Sequence, residues 1–151
     1  MIQFQDIAIL LLRLATAANF LFPVADRFGL WGPPGTANVV WGTWQNFVEY
    51  TAQVNSFAPA AFVLFLAVAA TVLEIVLSLL LIVGYKTRFA ALGAALLTLI
   101  FAVAMAFSFG IKAPLDYSVF VDCTSAFLLA TVARYRWSVD ELTRKNRRRY
   151  Y

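Results

Sequence analysis

A run of 25 residues from Pro59 to Val83 contains a single ionisable side chain, Glu74, near its middle. That length and composition suit a helix crossing a bilayer, which needs about 20 apolar residues. An unpaired carboxylate in hydrocarbon costs on the order of 3 kcal/mol or more, so Glu74 requires a cation, a proton, water or a ligand.

Hydrophobic residues make up 62% of the chain and charged residues 13%, about half the charged share of a soluble domain. Most of the surface therefore faces lipid. Four apolar segments appear, roughly Ile7 to Phe22, Pro59 to Val83, Phe89 to Phe109 and Tyr117 to Ala133. They predict an all-α polytopic membrane protein, a four-transmembrane-helix bundle in one domain over 1–151, with helices at about 6–28, 59–83, 88–109 and 116–135. The first run resembles a cleaved signal peptide at Ala15-Thr16-Ala17. It lacks a preceding basic residue and carries Arg13 internally, so it is read as a retained helix. In the third, Ala90, Ala91, Gly93, Ala94 and Ala95 allow a neighbouring helix to approach closely.

The chain has no histidine and one cysteine, Cys123. Histidine-ligated haem, thiolate zinc, a CxxC redox pair and an internal disulfide are all excluded, and no metal site is expected. Lysine and arginine predict orientation. Lys86, Arg88, Arg134, Arg136 and the tail from Arg144 to Arg149 fall on the side of the termini, nine basic residues in all, against Arg27 and Lys112 on the other. Both termini are expected in the cytoplasm, with a basic tail over 136–151 beside anionic lipid; nucleic acid is an unlikely partner for it. A serine and a glutamate, Ser138 and Glu141, are spaced as a capping box that starts a short helix there.

The long outer connection opens with Trp31 and Gly32-Pro33-Pro34-Gly35, a turn-forming sequence. From Asn38 to Gln53 it alternates aromatic with polar residues as an amphipathic helix would. Trp31, Trp41 and Trp44 are expected to act either as an interfacial anchor or as a lid over the bundle's outer opening.

Three helices carry polar stripes at helical spacing: Asp6, Arg13, Thr16, Asn19, Pro23 and Asp26 in the first; Thr71, Glu74 and Ser78 in the second; Ser118, Asp122 and Ser125 in the fourth. In lipid these stripes should converge inside the bundle. Counted from the cytoplasmic ends, Arg13 and Glu74 lie roughly 10 and 15 Å deep. An Arg13–Glu74 ion pair is therefore predicted, serving either to pin two helices or to face a ligand. Asp122 lies nearer Asn19, Asp26 and the outer loop, where it is protonated or compensated by Arg27, Lys112, water or a bound cation. The candidate ligand-binding set is Arg13, Thr16, Asn19, Thr71, Glu74, Ser78, Asp122 and Ser125; no catalytic residue is assigned.

Leu11-Leu12-Arg13-Leu14, the Gly-Pro-Pro-Gly turn, Glu74 followed by the series from Leu80 to Leu92, and Arg134 to Asp140 resemble the DoxX family of small four-helix membrane proteins. The resemblance places Arg13 and Glu74 on the family's recurrent arginine and glutamate. It implies a membrane subunit of a redox-linked system in the bacterial cytoplasmic membrane, with a quinone or other lipophilic molecule between the helices and a redox partner protein. A small-molecule or proton-coupled transporter, in which a homo-oligomer would supply more helices, and a scaffold recruiting a soluble partner are the alternatives. Where many relatives have a His-Gly pair and a lysine, this chain reads Phe22-Pro23-Val24-Ala25-Asp26-Arg27.

Overall fold

The computed structural model describes residues 3–147; the end of the basic tail, including Arg148 and Arg149, lies outside the described residues. The order is α1 (Phe4–Arg27), α2 (Trp44–Val54), α3 (Ala60–Val83), α4 (Thr87–Phe109), α5 (Lys112–Asp116), α6 (Val119–Thr131) and α7 (Val139–Arg147). Among the described residues there is no strand. This is a polytopic helical membrane protein: α1, α3 and α4 have the length and hydropathy to cross a bilayer. Phe65, Val72, Leu96, Phe107, Phe127 and Leu128 are exposed on the helix surfaces.

The expected helix over 116–135 is shorter than its apolar run. Ser118 adopts a left-handed conformation (φ 56°), and Val132 turns extended, leaving 13 residues in α6. At 1.5 Å per residue α6 covers about 20 Å, less than the hydrocarbon core. The segment after α6 folds back under it. Tyr135 donates its hydroxyl to the Leu129 carbonyl at 2.8 Å, joining the Val132 N–H on that acceptor at the helix end.

The four longer apolar helices pack in the cyclic order α1, α3, α4, α6. Small residues set the close approach of α4 to α6: Ala90, Ala91, Ala94 and Ala95 are buried against Ala126 and Ala130. Gly93 faces the other way, where an added Cβ would lie 2.8 Å from Leu77 of α3. Ser78 on α3 donates to the Ala17 carbonyl on α1 at 3.1 Å, fixing the relative height of those two helices.

Both ends of the described chain meet at one end of this bundle. Arg136 pairs with Asp6 of α1 at 2.9 Å. Asp140 accepts the Lys86 and Thr87 backbone N–H groups, each at 2.8 Å, and so caps the N-terminus of α4. The Ser138 hydroxyl accepts the Glu141 N–H at 3.2 Å, as the capping spacing predicts, while the Glu141 carboxylate is held by Arg134. That charge-assisted bond keeps the Arg134 guanidinium above its ordinary value.

Gly84 closes α3 in the left-handed region (φ 72°), and Asp140 N–H donates to its carbonyl at 3.0 Å. A Cβ there would stand 2.4 Å from Ser138 Cβ and 2.8 Å from Arg13 Nη1. Gly84→Ala is expected to lose roughly 2–4 kcal/mol through left-handed strain and overlap. Thermal unfolding in detergent measures the loss; a loss below about 1 kcal/mol would show that the 137–140 segment does not pack against Gly84.

Candidate functional site

On a helix the Cα–Cβ bonds tilt toward the N-terminus, so long side chains reach back along the axis. Arg27, the last residue of α1, consequently reaches down into the bundle, where it meets Glu74 of α3. Its Nη1 and Nη2 donate to the two carboxylate oxygens, the latter to Oε1 at 3.0 Å. Nη1 also donates to the Thr71 hydroxyl at 2.8 Å, and Thr71 in turn donates to the Ala67 carbonyl. Both partners are almost fully buried, with side chains 4% and 3% exposed. A planar guanidinium meeting both oxygens suits a low-dielectric site better than a single contact would.

This arrangement replaces the expected Arg13–Glu74 pair. Arg13 obeys the same directional rule, but from its position it points toward the opposite end of the bundle, where Nη2 donates to the Trp137 carbonyl at 2.9 Å. Register completes the explanation. Ala17 stands level with Ser78, so Arg13, four residues below Ala17, and Glu74, four above Ser78, are separated along the axis by about 12 Å. Arg27 is thus a buried partner of Glu74 and not an outer-loop charge. The signal available in the sequence was directional: a basic residue at the end of α1 can reach inward, whereas one near its start reaches outward.

Above the pair, the connection between α1 and α3 folds inward. Asp26 Oδ2 accepts the Val40 and Trp41 N–H groups at 3.0 and 2.9 Å. This draws Trp41 over the end of α1, and α2 starts three residues later behind the Thr43 cap. Phe47 of α2 lies with its ring 3.8 Å from the Arg27 guanidinium carbon, and Trp41 lies 5.4 Å from it on another side. Trp41 makes an edge contact with Phe47 and a tilted one with Tyr50. Trp44 stacks on Phe28, while Trp31 stacks on Phe22 and donates Nε1–H to the Phe22 carbonyl. Burial, and then neighbouring Tyr117, push the Tyr50 phenol above its ordinary value, so it stays a neutral hydroxyl.

Beneath this roof lies a cavity of about 1040 Å³ bordered by α1, α2, α3, α4 and α6. Of the sequence-predicted residues, Thr16, Asn19, Glu74, Asp122, Ser125, Trp31 and Trp41 line it. Asn19 donates its amide to Asp122 at 2.9 Å, joining the α1 and α6 stripes. Thr71 stands behind Arg27; Ser78 serves the α1–α3 contact, Arg13 lies at the far end, and Trp44 is outside the lining. Asp26, Arg27, Phe47 and Tyr50 enter the site although the candidate set omitted them. Three buried polar atoms of the lining residues, Asp26 Oδ1, Arg27 Nε and Trp41 Nε1, have no hydrogen-bond partner among the described residues. They present one acceptor and two donors. Among the described residues, no three His, Cys, Asp or Glu side chains are grouped to hold a metal ion.

The DoxX family model matches residues 8–108, which include most of α1, the roof, the ion pair and nearly all of α4. The chain belongs to the DoxX family. No curated protein and no solved structure matches it. Within the DoxX match lie Arg13, Arg27, Glu74 and Gly84; Asp122, Ser125 and the capping Asp140 fall beyond it.

A double-mutant cycle tests the pair. Arg27→Leu or Glu74→Leu alone strands a buried charge and should lose about 3–5 kcal/mol, while the double variant should regain much of that loss. Arg13→Leu combined with Glu74→Leu should be additive, because the two do not touch. Thermal unfolding in one detergent measures all five variants. Coupling of Glu74 to Arg13 in place of Arg27 would contradict the geometry.

Proposed function

We propose that this DoxX-family protein holds a lipophilic small molecule in the cavity beneath α2, as the membrane subunit of a redox-linked system. The supporting observation is the cavity itself: about 1040 Å³, walled mainly by apolar and aromatic side chains, with a few buried polar atoms near the Arg27–Glu74 pair. Such a combination suits a ligand with an apolar body and one or two oxygen functions. A quinone meets that description, its carbonyl accepting from Trp41 Nε1–H or Arg27 Nε–H. Electrons would pass through the ligand and a partner protein, since this chain has no histidine and one cysteine.

Decylubiquinone added to purified protein in mild detergent should quench tryptophan fluorescence saturably, because Trp31 and Trp41 line the cavity. Ala70 lines it too, so Ala70→Trp should fill the space and weaken binding at least tenfold while the protein stays folded. Undiminished affinity in that variant would place the quinone elsewhere.

We further propose that the shared end of the chain faces the cytoplasm of a bacterial cell. Lys86, Arg88, Arg134, Arg136 and Arg144 belong to that end, whereas at the other Arg27 is taken by Glu74 and Lys112 pairs with Asp116. Once Arg27 is removed from the loop count, the charge asymmetry is steeper. In a Cys123→Ala background, a cysteine at Thr36 should react with an impermeant reagent in intact cells, and one at Thr143 should not. The reverse labelling would invert the topology.

A further inference from the structure

Four ionisable side chains other than tyrosine line the cavity: Asp26 and Arg27 from α1, Glu74 from α3 and Asp122 from α6. One cation thus faces three carboxyl groups, and it is already engaged by Glu74. Asp26, 5% exposed, receives two backbone N–H groups on Oδ2, while its Oδ1 has no partner among the described residues. Asp122 receives the Asn19 amide. These donors are neutral dipoles; they stabilise a carboxylate without cancelling its charge. Lys112, the basic residue nearest to Asp122 in sequence, is exposed, pairs with Asp116 and is outside the lining. Of the other titratable groups, Tyr50 and Tyr117 line the cavity and α4 contributes none; Cys123 turns its thiol to the Ala95 carbonyl.

The walls favour the same sign of ligand. Phe20, Trp31, Phe47, Tyr50 and Phe101 border the space, and aromatic faces attract cations, most strongly when desolvated. Phe47 already does so toward Arg27 at 3.8 Å. Taking the cavity as a ligand site, as in the preceding reading, we infer that its Asp122 end binds the cationic group of an amphiphilic organic ligand, a protonated amine or a quaternary onium carried on an apolar body. Asn19 and Asp26 are seven residues apart on α1, about 10 Å along the axis. A cation held at Asp122 therefore leaves room for an apolar body running toward Asp26 and the aromatic roof.

Tetraphenylphosphonium and tetraphenylborate, of like shape and opposite charge, separate charge recognition from apolar burial. Tetraphenylphosphonium should bind the detergent-solubilised full chain saturably, read by tryptophan fluorescence and by equilibrium dialysis, at least tenfold more tightly than tetraphenylborate. Asp122→Asn should weaken that binding at least tenfold, and Asp122→Glu should restore part of it, with unfolding temperatures confirming that both variants are folded. Equal affinity for the two ions, or unchanged affinity in folded Asp122→Asn, overturns the assignment. Binding of decylubiquinone without tetraphenylphosphonium overturns it as well and leaves the ligand-site reading standing. Binding of neither probe overturns both.

Discussion

The need to neutralise one carboxylate within hydrocarbon organises the upper half of this protein. Glu74 receives both amino groups of Arg27, and that contact ties the end of α1 to the middle of α3. Because Arg27 is the last residue of α1, the guanidinium also forms the floor on which the α1–α3 connection rests. Phe47 covers it on one side and Trp41 on another. A buried ion pair gains little net stability over an apolar pair, since desolvation offsets attraction. Its effect here is positional, holding helix, roof and cavity in one arrangement.

The adjacent residue, Asp26, completes the roof by a different interaction. Its carboxylate faces the α1–α3 connection and receives the Val40 and Trp41 N–H groups, so of two consecutive residues of α1 one engages a side chain of the bundle and the other the backbone of the roof. Aromatic residues that an amphipathic pattern would assign to lipid therefore turn toward the bundle. The roof rests on close backbone contacts as well: a Cβ at Gly42 (φ 66°) would lie 2.7 Å from the Pro34 nitrogen. Rigid prolines packed on a glycine leave this connection few alternative paths.

Arg13 shows the same side-chain direction used for another purpose. It is 2% exposed, yet its Nη2 donates to a main-chain carbonyl beyond α6. It lies beside Gly84 at the C-terminal end of α3, where open carbonyls make the potential negative. Arg13, Gly84, Ser138 and Asp140 thus lock the chain's return to the start of α4.

Hydropathy, charge spacing and local signals were enough to establish a helical membrane protein, because lipid leaves the backbone few alternatives to helices. The boundaries of α3 and α4, the Ser138 cap, the packing of Ala90, Ala91, Ala94 and Ala95 and the approach of Asn19 to Asp122 were legible for the same reason: each depends on local spacing or on a periodic face. The partner of Glu74 was not. Depth counted along two separate helices assumes that they begin at the same level, and that level is set by packing, here by Ser78 against Ala17. Side-chain direction then sends Arg13 away from Glu74 and Arg27 toward it. The short α6 and the inward-facing aromatics of the roof were likewise decided only in three dimensions, by a left-handed residue at Ser118 and by contacts between segments far apart in sequence.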